Sequence, residues 1–204
     1  MARTGVLGGT FNPPHLAHLV CASEAAAQLG LDRVLVMPVA APPHKEALLD
    51  PGAEERYRLC RLATQGDECL EVSRLEVERG GPSYTVDTLR ELHATTPEDD
   101  LTLIVGADMA LGLPSWREPE AILGLARLAV AERSGAGRQD IAERLDEAFA
   151  GLKGFTGPDI AFFDMPRLDV SSSQIRRRVS EGRPIRYLVP DAVAERIQAA
   201  RLYR

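Results

Sequence analysis

Lysine is almost absent from this sequence. Of 24 basic residues in 204, only Lys45 and Lys153 are lysines, so nearly all the positive charge is arginine. A genome-wide preference for arginine accounts for this most simply, yet it makes the place of each lysine informative. Positive charge is itself in deficit, with 30 acidic residues giving a net charge of -6. That balance excludes a general nucleic-acid or anionic-membrane binder, which needs a basic surface to displace counterions. Phosphates can still be bound at a focused site. Cysteine is scarce too: Cys21, Cys60 and Cys69 are odd in number and widely spaced, with no CxxC. They read as reduced thiols, excluding a disulfide or zinc framework and pointing to the cytoplasm. No run approaches the ~20 apolar residues that span a bilayer. The opening MARTGVLGGTFNPP also lacks the apolar stretch of a secretory signal.

What is present is an ordinary globular composition, 45% hydrophobic and 26% charged. At about 150 residues per domain, the length predicts one domain over 1–204, with a small helical segment from about 171 onwards. Short apolar runs predict strands at Thr4–Leu7, Val34–Met37, Leu70–Val77, Leu101–Val105, Leu128–Ala131 and Ile160–Phe163. Three are nearly unbroken, as in parallel strands covered on both faces. Helical patterns fall between them at His15–Leu29, Ala53–Thr64, Thr85–His93, Pro119–Ala126 and Asp140–Ala150. Ser172–Glu181 and Asp191–Leu202 follow as two more. The alternation predicts an α/β fold, a single Rossmann-like doubly wound parallel sheet with helices on both faces. Ligands of such sheets sit at the carboxyl ends of strands, so the loops after strands carry the chemistry.

The first such loop reads Gly8-Gly9-Thr10-Phe11-Asn12-Pro13-Pro14-His15-Leu16-Ala17-His18. Paired glycines are expected to turn tightly and let backbone N–H groups approach an anion. The helix that follows offers its positive end. His15 and His18, three apart, share a helix face and can donate hydrogen bonds to oxygens whose charge grows during phosphoryl transfer. The glycines fit neither GxGxxG nor a GK[ST] loop. Zinc would need a third ligand, and none stands at a conventional spacing. Near the other end, Ser171-Ser172-Ser173-Gln174-Ile175-Arg176 combines an N-cap signal with a cation one turn in, a second place for an anion. On its own this stretch also reads as a capped surface helix.

These two motifs resemble the HxGH-type nucleotidyltransferases, whose phosphate loop is GGTFDPxHxGH and whose late helix opens with ISSTxIR. Asn12 stands where that pattern has Asp, Ala17 where it has Gly, and Ser173 where it has Thr. Three further segments resemble one branch, the bacterial nicotinate-nucleotide adenylyltransferases. They are Pro42-Pro43-His44-Lys45, Ser83-Tyr84-Thr85-Val86-Asp87-Thr88-Leu89, and Gly106-Ala107-Asp108 with Trp116. Tyr187-Leu188-Val189-Pro190-Asp191 is similar to that branch's YxxPxxV stretch, so the resemblance runs from Leu7 to Ile197.

The resemblance implies transfer of AMP from ATP to nicotinate mononucleotide, with Mg²⁺ carried on ATP. It implies His15, His18 and Arg176 as the catalytic set. Gly8, Gly9, Thr10, Phe11, His18, Gly106, Asp108, Arg133, Ser172, Ser173 and Arg176 would surround ATP. Lys45, Tyr84, Thr85, Trp116 and Arg117 would hold nicotinate mononucleotide. In that set Thr85 and backbone N–H groups near Trp116 and Arg117 meet the carboxylate, and Trp116 stacks on the ring. Arg177 and Arg178 would be solvated, and a homo-oligomer is compatible with the family. Two alternatives stay open: an adenylyltransferase preferring nicotinamide mononucleotide, and a non-catalytic nucleotide-sensing module.

Overall fold

The computed structural model describes residues 1–42, 49–132, 137–151 and 160–204; Lys45, Arg133 and Lys153 lie outside them. The apolar runs form six strands: β1 (Arg3–Gly9), β2 (Arg33–Pro38), β3 (Leu70–Val72), β4 (Asp100–Gly106), β5 (Arg127–Glu132) and β6 (Ile160–Asp164). They make one sheet in the order β3-β2-β1-β4-β5-β6, and every pairing is parallel. Successive strand side chains point to opposite faces, so the central strands β1, β2, β4 and β5 feed two cores. Val6, Leu35, Leu103 and Val130 enter one, while Leu7, Val36, Ile104 and Ala129 enter the other.

The first core is closed by α4 (Thr85–Thr95), α5 (Ala107–Gly112), α6 (Pro119–Leu125) and α7 (Arg138–Phe149). They contribute Leu89, Ala110, Ile122 and Phe149 among others. The second is closed by α1 (Leu16–Leu29) and by Cys60 of α2 (Ala53–Ala63). α1 stops as its sequence predicts, at Gly30 in the left-handed region with φ 63°, a conformation that costs glycine least.

A third core lies off the sheet. α2 also packs Leu59 and Ala63 on Ile175 of α8 (Ser172–Ser180) and on Val193 and Ile197 of α9 (Asp191–Ala199). Burying each of the Leu, Ile and Val side chains here stabilises by ~1.5–3 kcal/mol. Arg196 of α9 adds two hydrogen bonds to the Glu55 carboxylate at 2.6 and 2.8 Å. α8, which carries the second motif, is therefore held on α2.

The structure departs from the sequence pattern in three places. Leu70–Val77 is strand only to Val72, and α3 (Leu75–Arg79) follows. Leu70, Val72, Leu75 and Val77 satisfy either period, and the break comes where the Ser73 hydroxyl accepts the Leu75 N–H at 3.2 Å. α5, with a 3₁₀ turn over Leu113–Ser115, occupies a stretch with no expected helix. α9 stops at Ala199 and not at Leu202, because Arg201 and Tyr203 take φ of 52° and 62° and fold the end of the chain back.

Candidate active site

Sheet order turns at the β1–β4 pair, and the crevice outside the carboxyl ends of these two strands receives the loops of interest. Gly8 and Gly9 do not make the turn that paired glycines suggested: both are inside β1, opposite Met37 and Pro38. The turn falls at Phe11, φ 48°, followed by a cis Asn12–Pro13 bond. Gly8 is exposed, and a Cβ there would meet nothing within 4 Å, nor would one at Gly106. Both strand ends thus leave room for a ligand against the backbone.

His15 is the N-cap of α1, in extended conformation, and His18 stands one turn in. Their rings stack at 3.6 Å between centroids, 20° apart. The buried Phe11 ring packs edge-on to His18 at 4.9 Å, so its side chain supports the imidazole from below. His18 Nδ1 accepts the backbone N–H of His15 at 3.2 Å. An imidazole whose Nδ1 accepts carries its proton on Nε2. Burial, with the adjoining His15 as second cause, pushes the His18 pKa down to about 3. His18 is therefore a neutral, oriented donor.

The start of α8 joins this loop directly. Ser171 is the N-cap, its hydroxyl accepting the Gln174 N–H at 3.2 Å. The Ser172 hydroxyl donates to Pro13 O at 2.7 Å. Arg176 donates from Nη1 to Asn12 O at 2.8 Å and from Nη2 to the Ser173 hydroxyl at 3.1 Å. Two carbonyls of the first motif are thus engaged by the second motif, 159 and 164 residues away. Arg178 is not simply solvated, because its Nε donates to Pro184 O at 2.8 Å and ties down the turn after α8.

Across the crevice, Tyr84 caps α4 and Thr85 opens it. The Arg117 guanidinium lies over the Tyr84 ring at 4.8 Å and reaches Asp87 at 3.4 Å. Trp116 and Tyr84 are partly buried against the first core. The N–H of Trp116 already donates to Leu113 O at 2.9 Å, so one backbone donor expected for a carboxylate is engaged. Gly106 closes β4 as the N-cap of α5, and exposed Asp108 is in its first turn. Among the described residues, the expected nucleotide-side positions gather at β1, β4 and α8, and Tyr84, Trp116 and Arg117 gather at α4.

A cytidylyltransferase-like family model matches residues 6–178. The chain belongs to that family. A probable nicotinate-nucleotide adenylyltransferase from Citrifermentans bemidjiense is 44% identical, over 98% of this chain and 98% of that protein. One of the same name from Roseiflexus sp. is 45% identical, over 100% and 98%. The structure of Plasmodium falciparum nicotinic acid mononucleotide adenylyltransferase complexed with NaAD superposes with TM-score 0.78. At 16% identity, covering 100% of this chain and 98% of that one, it shows the shared fold.

Cytidylyltransferase-like enzymes of this branch act on nucleotides, and a divalent metal goes with that chemistry. Among the described residues no three His, Cys, Asp or Glu side chains stand where they could hold a metal ion. No described helix is long and apolar enough to cross a membrane.

Sequence reasoning missed Arg56, and it named Ser83 only as part of a motif without its bond to the loop after β2. Arg56 is fully buried and binds carbonyls of two site loops, Thr10 O at 3.1 Å and Val39 O at 2.6 Å. Ser83 accepts the Ala40 N–H at 2.9 Å. The Arg56 signal was available: it occupies an apolar slot of α2, spaced with Leu59, Cys60 and Ala63.

Proposed function

We propose that this chain is a nicotinate-nucleotide adenylyltransferase, which transfers AMP from ATP to nicotinate mononucleotide. The products are nicotinate adenine dinucleotide and pyrophosphate, a step of NAD biosynthesis. The observation that carries this reading is the join between the two phosphate-type motifs. Ser172 and Arg176 hold Pro13 O and Asn12 O, placing the start of α8 beside the His15–His18 pair at one crevice.

In the reaction, a phosphate oxygen of nicotinate mononucleotide attacks the α-phosphorus of ATP in line. One P–O bond forms, the α–β bridging P–O bond breaks, and pyrophosphate leaves with the electron pair. The attacking phosphate is already anionic, since its second pKa is ~6, so no general base is required. Positioning two polyanions and stabilising the leaving group are the difficult parts. His18 donates from Nε2–H, which adds no charge to the resting site. His15 and Arg176 add donors on either side, with Gly8, Gly9, Thr10, Ser172 and Ser173 around the phosphates. Gly106 and Asp108 border the ribose. Mg²⁺ enters as part of the MgATP substrate. Thr85, Tyr84, Trp116 and Arg117 receive the nicotinate end. Lys45 and Arg133, outside the described residues, complete the acceptor-phosphate and triphosphate contacts. The cytoplasm is where this chemistry belongs, and the whole of 1–204 acts as one domain.

Pyrophosphate release is to be measured with ATP and, side by side, nicotinate mononucleotide, nicotinamide mononucleotide and phosphopantetheine. Release fastest with nicotinate mononucleotide is expected. A preference for either other acceptor reassigns the branch, and no release with any acceptor overturns the enzyme reading.

A further inference from the structure

The transfer as described makes no use of Arg56, which is nevertheless the largest fully buried side chain among the described residues. The buried positions of α2 are Arg56, Leu59, Cys60 and Ala63, an i, i+3, i+4, i+7 series that sets one helix face inward. An arginine in that series takes a charge out of water, which is costly unless its N–H groups find acceptors. Here they do. Nε donates to Asp50 Oδ1 at 2.9 Å, Nη1 to Thr10 O at 3.1 Å and Val39 O at 2.6 Å, and Nη2 to Ala40 O at 2.9 Å.

The three carbonyls belong to two loops. Thr10 lies in the phosphate loop after β1, and Val39 and Ala40 lie in the loop after β2. That second loop is joined onward: Ser83 Oγ accepts the Ala40 N–H at 2.9 Å, and Ser83 N–H donates to Ala41 O at 3.0 Å. Ser83 immediately precedes Tyr84 and Thr85, which start α4. One guanidinium therefore links the ATP side of the crevice to the acceptor side. Its planar fork fixes the carbonyls at set angles, which a lysine ammonium, a point charge on a flexible stem, does not.

We infer that Arg56 is a positioning residue that sets the spacing between the phosphate loop and the acceptor-side loops, so that the two substrates meet in register. The inference rests on the proposed transfer reaction. In-line attack needs reacting atoms ~3–3.5 Å apart, and a ~1 Å misplacement costs ~100-fold. A small slip between the loops is thus read out in turnover.

The test compares the full-length wild type with Arg56→Lys, Asp50→Asn and Cys60→Ala. It measures kcat, both KM values, the melting temperature and calorimetric affinity for a non-hydrolysable ATP analogue. Cys60→Ala thins the packing of the same helix without touching a loop carbonyl. It lowers the melting temperature and leaves the kinetic constants within two-fold. Folded Arg56→Lys raises both KM values together, and lowers kcat, by ten-fold or more. Asp50→Asn weakens the carboxylate contact to Nε of the same guanidinium and moves both KM values upward by two- to five-fold. It carries the test if Arg56→Lys does not fold. Kinetic constants within two-fold of wild type in folded Arg56→Lys overturn the inference, as does movement of one KM alone. In the fallback, an unchanged Asp50→Asn does the same. If the wild type transfers no adenylyl group, the proposed function fails and the analogue affinity decides for Arg56. Ten-fold weaker binding in Arg56→Lys then supports it, and equal binding overturns it.

Discussion

His18 concentrates the chemistry at the scale of single residues. Its Nδ1 is engaged by the His15 N–H, so only Nε2 is left to face a phosphate, and the ring is neutral over the ordinary pH range. His18→Ala is expected to lower turnover by more than about ten-fold, in line with the loss of one preorganised donor. The check is steady-state kinetics on a variant whose circular dichroism matches wild type. Stability carries a second signature. The folded pKa of about 3 lies below the ordinary 6.5, so between these values the unfolded chain binds more protons. Melting temperature therefore falls as pH drops from 6.5 toward 4, and His18→Gln makes that decline shallower. An unchanged slope would contradict an imidazole held neutral in the folded state. On the acceptor side, Thr85→Ala is expected to raise KM for nicotinate mononucleotide at least five-fold more than KM for ATP. The two histidines stood out by type and spacing, whereas Arg176 stood out only through the resemblance of its stretch to the family motif. Arg56 carried a signal in its apolar slot of α2, but its carbonyl partners at Thr10, Val39 and Ala40 come from other segments and are set only by the fold.

Among the elements, α8 has most to do with function, and it packs in the core that lies off the sheet. It is positioned by the third core, through Ile175 on Leu59, Val193 and Ile197, and by its bonds to the phosphate loop. Ile175→Ala is expected to destabilise by ~2–5 kcal/mol, the usual range for such a truncation. It should also raise KM for ATP more than KM for nicotinate mononucleotide. Equal changes in the two would mean that α8 is not specific to the nucleotide side. The central strands were readable as elements because buried parallel strands are nearly continuous apolar runs. β3 was misjudged in length because Leu70 to Val77 fits two periods, and only the Ser73 hydroxyl and the α3 ion pairs decide. Arg74 bonds Glu78 at 3.0 Å, and Arg79 bonds Glu91 at 2.9 Å. Such contacts depend on partners brought close by the fold, so propensity alone could not supply them.

For the molecule as a whole, the acidic balance and the phosphate site are compatible because the positive charge is local. From Arg167 to Arg186 there are six arginines against Asp169 and Glu181, in the segment that contains α8. The fold brings this segment to the loop at the carboxyl end of β1, which no local pattern could state. The two motifs are far apart in the chain and touch only through tertiary structure. The most direct measurement follows the α-phosphorus, using ATP labelled there and nicotinate mononucleotide as acceptor. The label is predicted in a dinucleotide, one per pyrophosphate released, with none in the pyrophosphate itself. ATP bound without transfer of label, or label released in pyrophosphate, would contradict adenylyl transfer at this site.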